Sequence, residues 1–486
     1  MEEPVRPSGV SHDDSTHFLL LSLCSFLILF VPLHRGDLSG YDDALYAHQA
    51  KEMIRSGDWW NVRFNGSLNF EYPPMFMWLE ALSMTLLGVS DFAAKVPAAL
   101  AGFGTIVLVY FLVRELTDEP WTPRLAMLVL VSTQYFMKYA THAMTDVPFA
   151  FFFTLAMLLY VKGLRTPRYF VLAGLPLACA LLTRSVIGMI PIGIVLVHLL
   201  GTRRYDLILS RHSLWFLLTA FSLPAAWFAV EYHLYGPSFL QGHVSFVAGK
   251  LQSGESFQAW NAILRLLVFP RLLVTTYWPW LPFTAVGFYQ YSRAAISRRD
   301  SGAVLLVAWV LCAVVPFSLA QDPFSRYFMP VFPALAILSA TILNDWIPLR
   351  RKPVMFKALY SLGSLFVLYA AVFPMTLLRA TDMRQLAPVT DAHTPPQERV
   401  LLYTFGAREW GFQNQLLWYG NRYTELVTDL SEVRSRLVSG RNTVAAMNTE
   451  AAGQLLAALR AEKSGGITVL AESEKFVCLK LSGPAN

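Results

Sequence analysis

The feature that most constrains this chain is a series of long apolar runs, which fill its first 378 residues. Each run has about 17–22 residues, the length that an α-helix needs to cross the hydrocarbon core of a bilayer. Charged residues make up only 15% of the 486-residue chain, whereas an average soluble domain carries about 25%. The sequence therefore predicts an α-helical polytopic membrane protein.

Eleven membrane spans are predicted. They cover residues 18–34, 96–113, 124–140, 147–162, 169–183, 186–200, 214–230, 271–290, 302–320, 328–345 and 358–377. If the N-terminus is cytoplasmic, most Lys and Arg residues between spans fall in cytoplasmic loops, as the positive-inside rule requires. The net charge of +6 is then explained without nucleic acid as a partner. This orientation places the first long loop, the loop at 231–270 and the C-terminal tail outside the cytoplasm.

The first outer loop, residues 35–95, has the pattern of ordered structure. Apolar positions recur at helical spacing from Asp42 to Arg55, and Gly57 ends that helix. A second apolar helix is predicted from Met75 to Leu87. Both helices are expected to lie in the membrane interface with their apolar faces towards lipid.

The composition changes after residue 380, where Pro388 and Thr394-Pro395-Pro396 predict a short linker. Four strands and one helical stretch follow, at Arg399–Thr404, 428–439, Thr443–Met447, Thr468–Ala471 and Phe476–Leu481. The chain is thus divided into a membrane domain at 1–380, which includes the outer loop, and a small extracytoplasmic α/β domain at 381–486. The four cysteines have neither metal-ligand spacing nor a readable disulfide framework.

Polar residues gather at span ends on the predicted outer face. They are Asp42, Asp43, Asp146, Arg184, His243, Arg326 and Tyr327. One isolated charge at a span end is most simply an anchor in the headgroups, but acids, an imidazole and two arginines together favour a functional site. Carboxylates with an imidazole suit a divalent metal or general-base chemistry. Arginines suit a phosphate, which at a membrane surface would most simply belong to a lipid.

Motifs of the first loop resemble a known family. They read Tyr41-Asp42-Asp43-Ala44-Leu45-Tyr46-Ala47, Ser56-Gly57-Asp58-Trp59, Asn65-Gly66 and Phe70-Glu71-Tyr72-Pro73-Pro74. In order and spacing they resemble the first periplasmic loop of polyprenyl-phosphate-dependent glycosyltransferases, which are related to protein O-mannosyltransferases and lipid A aminoarabinose transferases. The resemblance extends over about residues 36–335. It implies the GT-C membrane fold.

The resemblance also implies roles for the polar residues. Asp42 would be the catalytic carboxylate, with Asp43 beside it. Arg184 would bind the donor phosphate where the family usually has Lys, together with Arg326, Tyr327 and Tyr72. Glu71, Asp146 and His243 would match positions near a metal, so a divalent cation is a candidate cofactor. The sequence departs from the family at Tyr72, where Lys is common, and at Leu45, where Arg is common.

The implied function is transfer of a sugar from polyprenyl phosphate to an extracytoplasmic acceptor, with inversion and with Asp42 as base. Protein, lipid A, polysaccharide and another glycolipid all remain open as acceptors. The expected location is the cell inner membrane. The alternative is a multi-pass transporter or flippase of a lipid-linked or anionic substrate, which would predict inverted repeats and polar or broken spans at the midplane. A non-catalytic membrane scaffold is a third possibility.

Overall fold

The apolar runs form helices in the computed structural model, which describes residues 12–251, 267–319, 325–372, 381–404, 410–440, 442–461 and 467–481. The helices before residue 260 are α1 His12–Phe30, α2 Asp42–Ser56, α3 Met75–Leu87, α4 Asp91–Leu116, α5 Thr122–Val131, α6 Gln134–Ala140, α7 Asp146–Gly163, α8 Pro167–Leu172, α9 Gly174–Arg184, α10 Ile190–Gly201, α11 Tyr205–Ile208, α12 Arg211–Tyr235 and α13 Pro237–Leu251. The later helices are α14 Val268–Thr276, α15 Leu281–Ser297, α16 Ser301–Leu319, α17 Phe332–Trp346, α18 Lys352–Val372, α19 Asp382–His393, α20 Trp410–Tyr419, α21 Leu430–Val438 and α22 Thr449–Ala461.

The described part of each predicted span is largely helical, but the predicted spans 124–140 and 271–290 are each interrupted, between α5 and α6 and between α14 and α15. Within the described ranges, six segments are long and apolar enough to cross a membrane: Ser15–His34, Asp91–Leu116, Asp146–Gly163, Pro167–Gly201, Arg211–Tyr235 and Ser325–Trp346. The segment Pro167–Gly201 holds two predicted spans, and a 3-10 turn at Ser185–Met189 separates them. Residue 320, residues 373–377 of the last predicted span and residues 252–266 of the outer loop lie outside the described residues. The chain is a multi-pass helical membrane protein.

Two compact units are distinguished by their internal contacts. The first comprises Met1–Leu33, Phe70–Phe76 and Lys95–Pro374, and the second comprises His34–Asn69, Met77–Ala94 and Met375–Asn486. We refer to them as the membrane unit and the outer unit. This grouping differs from the predicted division at residue 380, because most of the first loop packs with the tail.

The membrane unit has one continuous apolar core. Helix α9 packs between α7 and α12, and α17 packs against α5 and α15. Trp309 and Phe153 stack in this core with ring centroids 5.3 Å apart. Such packing places the loop ends of α7 and α9 at fixed positions.

The outer unit begins with helix α2. As predicted, Gly57 ends it, with a left-handed φ of 70° that glycine adopts at little cost. Every side chain from Asp42 to Met53 is buried, so the polar face that an interfacial helix would leave to water is covered as well. The predicted helix Met75–Leu87 is confirmed.

A two-stranded hairpin follows α2, formed by β1 Arg63–Phe64 and β2 Ser67–Leu68. Asn65 and Gly66 form its turn with φ values of 55° and 80°. Two successive positive φ angles are those of a type I′ turn, for which Asn-Gly is the favoured pair.

The tail forms a five-stranded mixed sheet in the order β4-β3-β5-β7-β6. Its strands are β3 Val400–Tyr403, β4 Thr424–Val427, β5 Val444–Asn448, β6 Ile467–Glu472 and β7 Phe476–Leu481. Alternate residues of each strand face opposite sides. Leu401 and Ala445 pack with α21 and α22 on one face, whereas Leu402 packs with α19 and α20 on the other. The predicted α/β domain is confirmed.

Two features of the tail differ from the prediction. Pro388 lies within helix α19, so the predicted linker at this position is wrong. Helices α20 and α22 and strand β4 were not predicted. Helix α20 was missed because its polar side chains make contacts inside the outer unit, so its sequence shows no amphipathic stripe.

Candidate active site

Arg184 and Asp146 form a buried ion pair in the membrane unit. Arg184 is the last residue of α9, and Asp146 is the first residue of α7. The Arg184 Nη2 donates to Asp146 Oδ1, and the two side chains are 8% and 2% exposed. The predicted phosphate-binding residue is therefore already held by one of the predicted metal ligands.

A small cavity lies beside this pair. It is lined by Asp146, Phe149, Arg184, Ile187, Arg326 and Tyr327. The Arg184 guanidinium lies over the Tyr327 ring, 5.4 Å from its centroid. Arg184 and Arg326 both line this cavity, and arginines can bind a phosphate bidentately. Four predicted site residues, Asp146, Arg184, Arg326 and Tyr327, from three separate span ends are thus brought together.

His243 lies next to this cavity and is held at both ring nitrogens. Nδ1 lies 2.9 Å from the backbone oxygen of Phe70, and Nε2 lies 2.9 Å from Ser185 Oγ. A carbonyl oxygen can only accept, so Nδ1 carries the proton and Nε2 accepts from the Ser185 hydroxyl. Burial lowers the pKa of His243, which keeps the ring neutral. Ser185, with an unusual φ of 51°, is a site neighbour that the sequence did not reveal.

His243 thereby positions the segment that carries Glu71 and Tyr72. The ring of Phe70 packs against Tyr235 and Phe239, each with centroids 5.4 Å away. Tyr72 makes an edge contact with Phe246, 4.8 Å between centroids. Tyr72 is thus placed by α13, and Glu71 is exposed.

These contacts do not match a metal site of Glu71, Asp146 and His243. The Nε2 lone pair of His243 is used by Ser185, and Asp146 pairs with Arg184. Among the described residues no group of three His, Cys, Asp or Glu side chains is placed to hold a metal ion. In this arrangement His243 and Asp146 are engaged with other residues, and the requirement for a metal stays a prediction.

In the outer unit, helix α2 begins at Asp42 and Asp43. Negative charges are stabilised at a helix N-terminus. Asp43 is 1% exposed, and its Oδ2 accepts a hydrogen bond of 3.3 Å from the backbone N–H of Ser39. Asp42 is 9% exposed. The hydrogen bond to Ser39 thus links the Asp43 carboxylate to the backbone that precedes the helix.

Glu80 is a buried acid that the sequence analysis missed. It lies in the apolar helix α3 with 0% exposure, and neither carboxyl oxygen has a hydrogen-bond partner among the described residues. Burial, and then the charge of Asp43, raise the pKa of Glu80 well above its usual range. The signal that could have revealed it is a single Glu in an otherwise apolar helix.

Comparisons with known proteins show similarity to enzymes that use lipid-phosphate-linked sugars. Residues 71–228 match the family described as dolichyl-phosphate-mannose-protein mannosyltransferase. An undecaprenyl phosphate-alpha-4-amino-4-deoxy-L-arabinose arabinosyl transferase of Shewanella sediminis is 27% identical over 66% of this chain and 59% of its own. A second such transferase, of Pseudomonas fluorescens, is 27% identical over 70% of this chain and 59% of its own. The chain thus spans less than two thirds of the length of these relatives.

Solved structures share the fold across nearly the whole chain. ArnT from Cupriavidus metallidurans bound to undecaprenyl phosphate gives a TM-score of 0.77 at 18% identity, covering 96% of this chain and 98% of ArnT. The oligosaccharyltransferase AglB of Archaeoglobus fulgidus gives 0.55 at 13% identity, covering 90% of this chain and 69% of AglB. The predicted GT-C fold and the resemblance to polyprenyl-phosphate-dependent glycosyltransferases are confirmed.

Proposed function

We propose that the chain is an integral membrane glycosyltransferase that moves a sugar from a polyprenyl-phosphate donor to an extracytoplasmic acceptor. The observation that carries this proposal is the cavity lined by both Arg184 and Arg326, whose side chains can bind a phosphate. The relatives named as arabinosyl transferases of undecaprenyl phosphate support the class of donor. The acceptor is a hydroxyl group of a protein, lipid A, a polysaccharide or another glycolipid.

The proposed reaction is a single displacement at the anomeric carbon. The acceptor oxygen forms a bond to that carbon while the bond to the phosphate oxygen breaks, so the configuration inverts. The electron pair of the broken bond stays on the lipid phosphate, which is a good leaving group without a general acid. Asp42 takes the proton of the acceptor hydroxyl.

The polar residues of the cavity, and His243, each have a part in this proposal. Arg184, oriented by Asp146 and by the Tyr327 ring, binds the donor phosphate together with Arg326 and stabilises its developing charge. Neutral His243 holds the backbone of Phe70 and so places Glu71 and Tyr72. No step passes through a metal; activity measured after chelation and after adding back Mg²⁺ or Mn²⁺ tests the predicted cation.

The test compares Asp42→Asn with the parent in lipid nanodiscs supplied with an undecaprenyl-phosphate sugar and an acceptor. General-base assistance is worth about 10²–10⁴-fold, so turnover should fall by that factor while the protein stays folded. Asp43→Asn should instead lower stability, since Asp43 is bonded to Ser39. Turnover of Asp42→Asn at the parent rate would remove Asp42 from the mechanism. Donor movement across the bilayer without release of lipid phosphate would support the transporter alternative.

The proposal also includes the orientation in the membrane. With the N-terminus in the cytoplasm, the first loop and the tail lie outside it in the cell inner membrane. A reporter that is active only outside the cytoplasm should be active when fused after residue 385 and inactive after residue 205. The opposite pattern would show that the protein has the opposite orientation in the membrane.

A further inference from the structure

Helix α20 of the tail binds the short backbone segment that precedes Asp42. The hydroxyl of Tyr419 accepts a hydrogen bond of 2.9 Å from the backbone N–H of Leu38. Gln415 Nε2 donates to the backbone oxygen of Leu38, also at 2.9 Å. Both donor and acceptor groups of this one peptide position are thus satisfied by side chains of α20.

Asn414 extends these contacts to the two residues directly before Asp42. Its Nδ2 donates to the backbone oxygens of Tyr41, at 3.2 Å, and Gly40, at 3.5 Å. The side chain is fully buried, with 0% exposure. In sequence Asn414 is 373 positions away from Tyr41.

The backbones of the helix and the segment also touch. A Cβ atom added to Gly411 would lie 2.5 Å from the backbone oxygen of Gly40, and one added to Gly40 would lie 2.9 Å from the oxygen of Gly411. Only residues without a Cβ allow this approach. The segment has little freedom to shift towards α20.

Helix α2 in turn holds the far end of α20. Lys51 Nζ donates to the backbone oxygens of Trp418, at 2.8 Å, and Gly420, at 2.6 Å. Carbonyl groups at a helix C-terminus lack partners within the helix, so a lysine there is stabilising. Lys51 therefore docks the two helices independently of Asn414.

Docking alone does not account for the position of Asn414. Lys51, Gln415 and Tyr419 already join α2 and its preceding segment to the tail. The acceptors of Asn414 are the carbonyls of the last two peptide units before Asp42, whose orientation sets the direction of the Asp42 side chain. We propose that Asn414 is a positioning residue for Asp42, through which the tail domain orients the proposed base.

This inference rests on the proposed function, and a rate measurement tests it. A misplacement of about 1 Å can cost about 10²-fold in rate. Asn414→Ala should therefore lower kcat by about 10–100-fold. The KM for the donor should change less than about twofold, because the arginines proposed to bind the phosphate belong to the membrane unit.

The neighbouring Gln413 provides a matched control. Its Nε2 donates to Thr424 Oγ1 at 2.9 Å, within the tail, and its side chain is 7% exposed. Gln413→Ala removes a buried amide of the same helix without touching the segment before Asp42. It should lower the melting temperature about as much as Asn414→Ala and leave kcat close to that of the parent.

A double variant separates positioning from general loss of structure. If Asn414 acts through Asp42, Asn414→Ala in the Asp42→Asn background should cause little further loss of kcat, because residues that act as a unit are non-additive. Rates are normalised to monodisperse protein. Should Asn414→Ala not accumulate, the similarly sized Asn414→Leu, which lacks the donor, takes its place.

The outcomes distinguish the two proposals. A kcat for Asn414→Ala within threefold of the parent, with Asp42→Asn inactive, overturns the positioning role and leaves the proposed function standing. A fold-loss of kcat in the double variant equal to the product of the two single-variant losses also overturns the positioning role. Parent-like turnover of Asp42→Asn would instead overturn the proposed base, and the positioning role with it.

Discussion

Arg184 pairs with Asp146 and also lines the cavity proposed for the donor phosphate, so its structural contribution and its proposed role in donor binding can be tested separately. The perturbation is Arg184→Ala. It removes the cation from a pair whose side chains are 8% and 2% exposed, and so leaves the Asp146 carboxylate buried without this partner. Removing one partner of a buried pair costs about 3–5 kcal/mol of stability. We therefore expect a large fall in the melting temperature.

Loss of Arg184 should also weaken binding of the donor. A hydrogen bond to a charged group contributes about 1.5–3 kcal/mol, and each 1.4 kcal/mol is about tenfold in binding. The KM for the polyprenyl-phosphate donor should thus rise by about 10–100-fold in Arg184→Ala. Arg184→Lys keeps the charge and should retain much of the donor use, since the resembling family commonly has Lys there.

The double variant Arg184→Ala/Asp146→Asn separates the two roles. It contains no uncompensated buried charge, so most of the lost stability should return, whereas the KM for the donor should remain high. The assay is release of lipid phosphate in nanodiscs against donor concentration, with thermal unfolding measured in parallel. Arg165→Ala is the control, because Arg165 pairs with Glu115 at 3.5 Å while 74% exposed, and exposed pairs contribute about 0–1 kcal/mol.

Two results would each contradict a role of Arg184 in donor binding. If the double variant regained the parent KM together with its stability, Arg184 would serve only to neutralise Asp146. An unchanged KM in folded Arg184→Ala would have the same meaning. Either result would leave the donor phosphate to Arg326 and Tyr327.

Two further predictions concern the outer unit. Gly66→Ala should destabilise the outer unit more than Gly440→Ala does. Both positions have a positive φ, of 80° and 69°, but a Cβ on Gly66 would lie 2.9 Å from the Tyr423 ring, whereas nothing lies within 4 Å of a Cβ on Gly440. Equal melting temperatures of the two variants would contradict this difference. Burial, and then the charge of Lys51, lower the pKa of His48 to about 3, so its contribution to stability is complete above about pH 6.5 and is lost as the pH falls from there towards 3. Between pH 7 and pH 5 the free energy of unfolding should change by up to about 1.4 kcal/mol per pH unit. The His48→Asn variant should show a smaller slope, and an unchanged slope would show that His48 does not cause this pH dependence.

The sequence alone determined the elements whose signals are local. Span length and hydropathy depend on neighbouring residues, so most helical spans could be predicted to within a few residues. The breaks at 132–133 and 277–280 were not predicted. The same holds for helix α2 and its end at Gly57, and for the strand Phe476–Leu481, which the structure reproduces. Charge at span ends identified Asp146, Arg184, Arg326 and Tyr327, which the structure places around one cavity.

Only the tertiary structure decided the partners of these residues. Arg184 pairs with Asp146 across 38 positions, and His243 binds Phe70 across 173, at distances that carry no periodic signal in the sequence. The contact of His243 with the backbone of Phe70 could not be predicted from the sequence for this reason. Glu80 was missed for the same reason, since its burial depends on what packs around α3.

The grouping of the first loop with the tail shows the physical reason most clearly. Helix α20 was not predicted, because Gln413, Asn414 and Gln415 interrupt its apolar pattern. Those polar side chains are buried since each finds a partner within the outer unit, one at Thr424 and two in the segment before Asp42. A buried polar group is stable only where its hydrogen bond is made. The sequence supplies the donors, and only the folded chain brings their acceptors within reach.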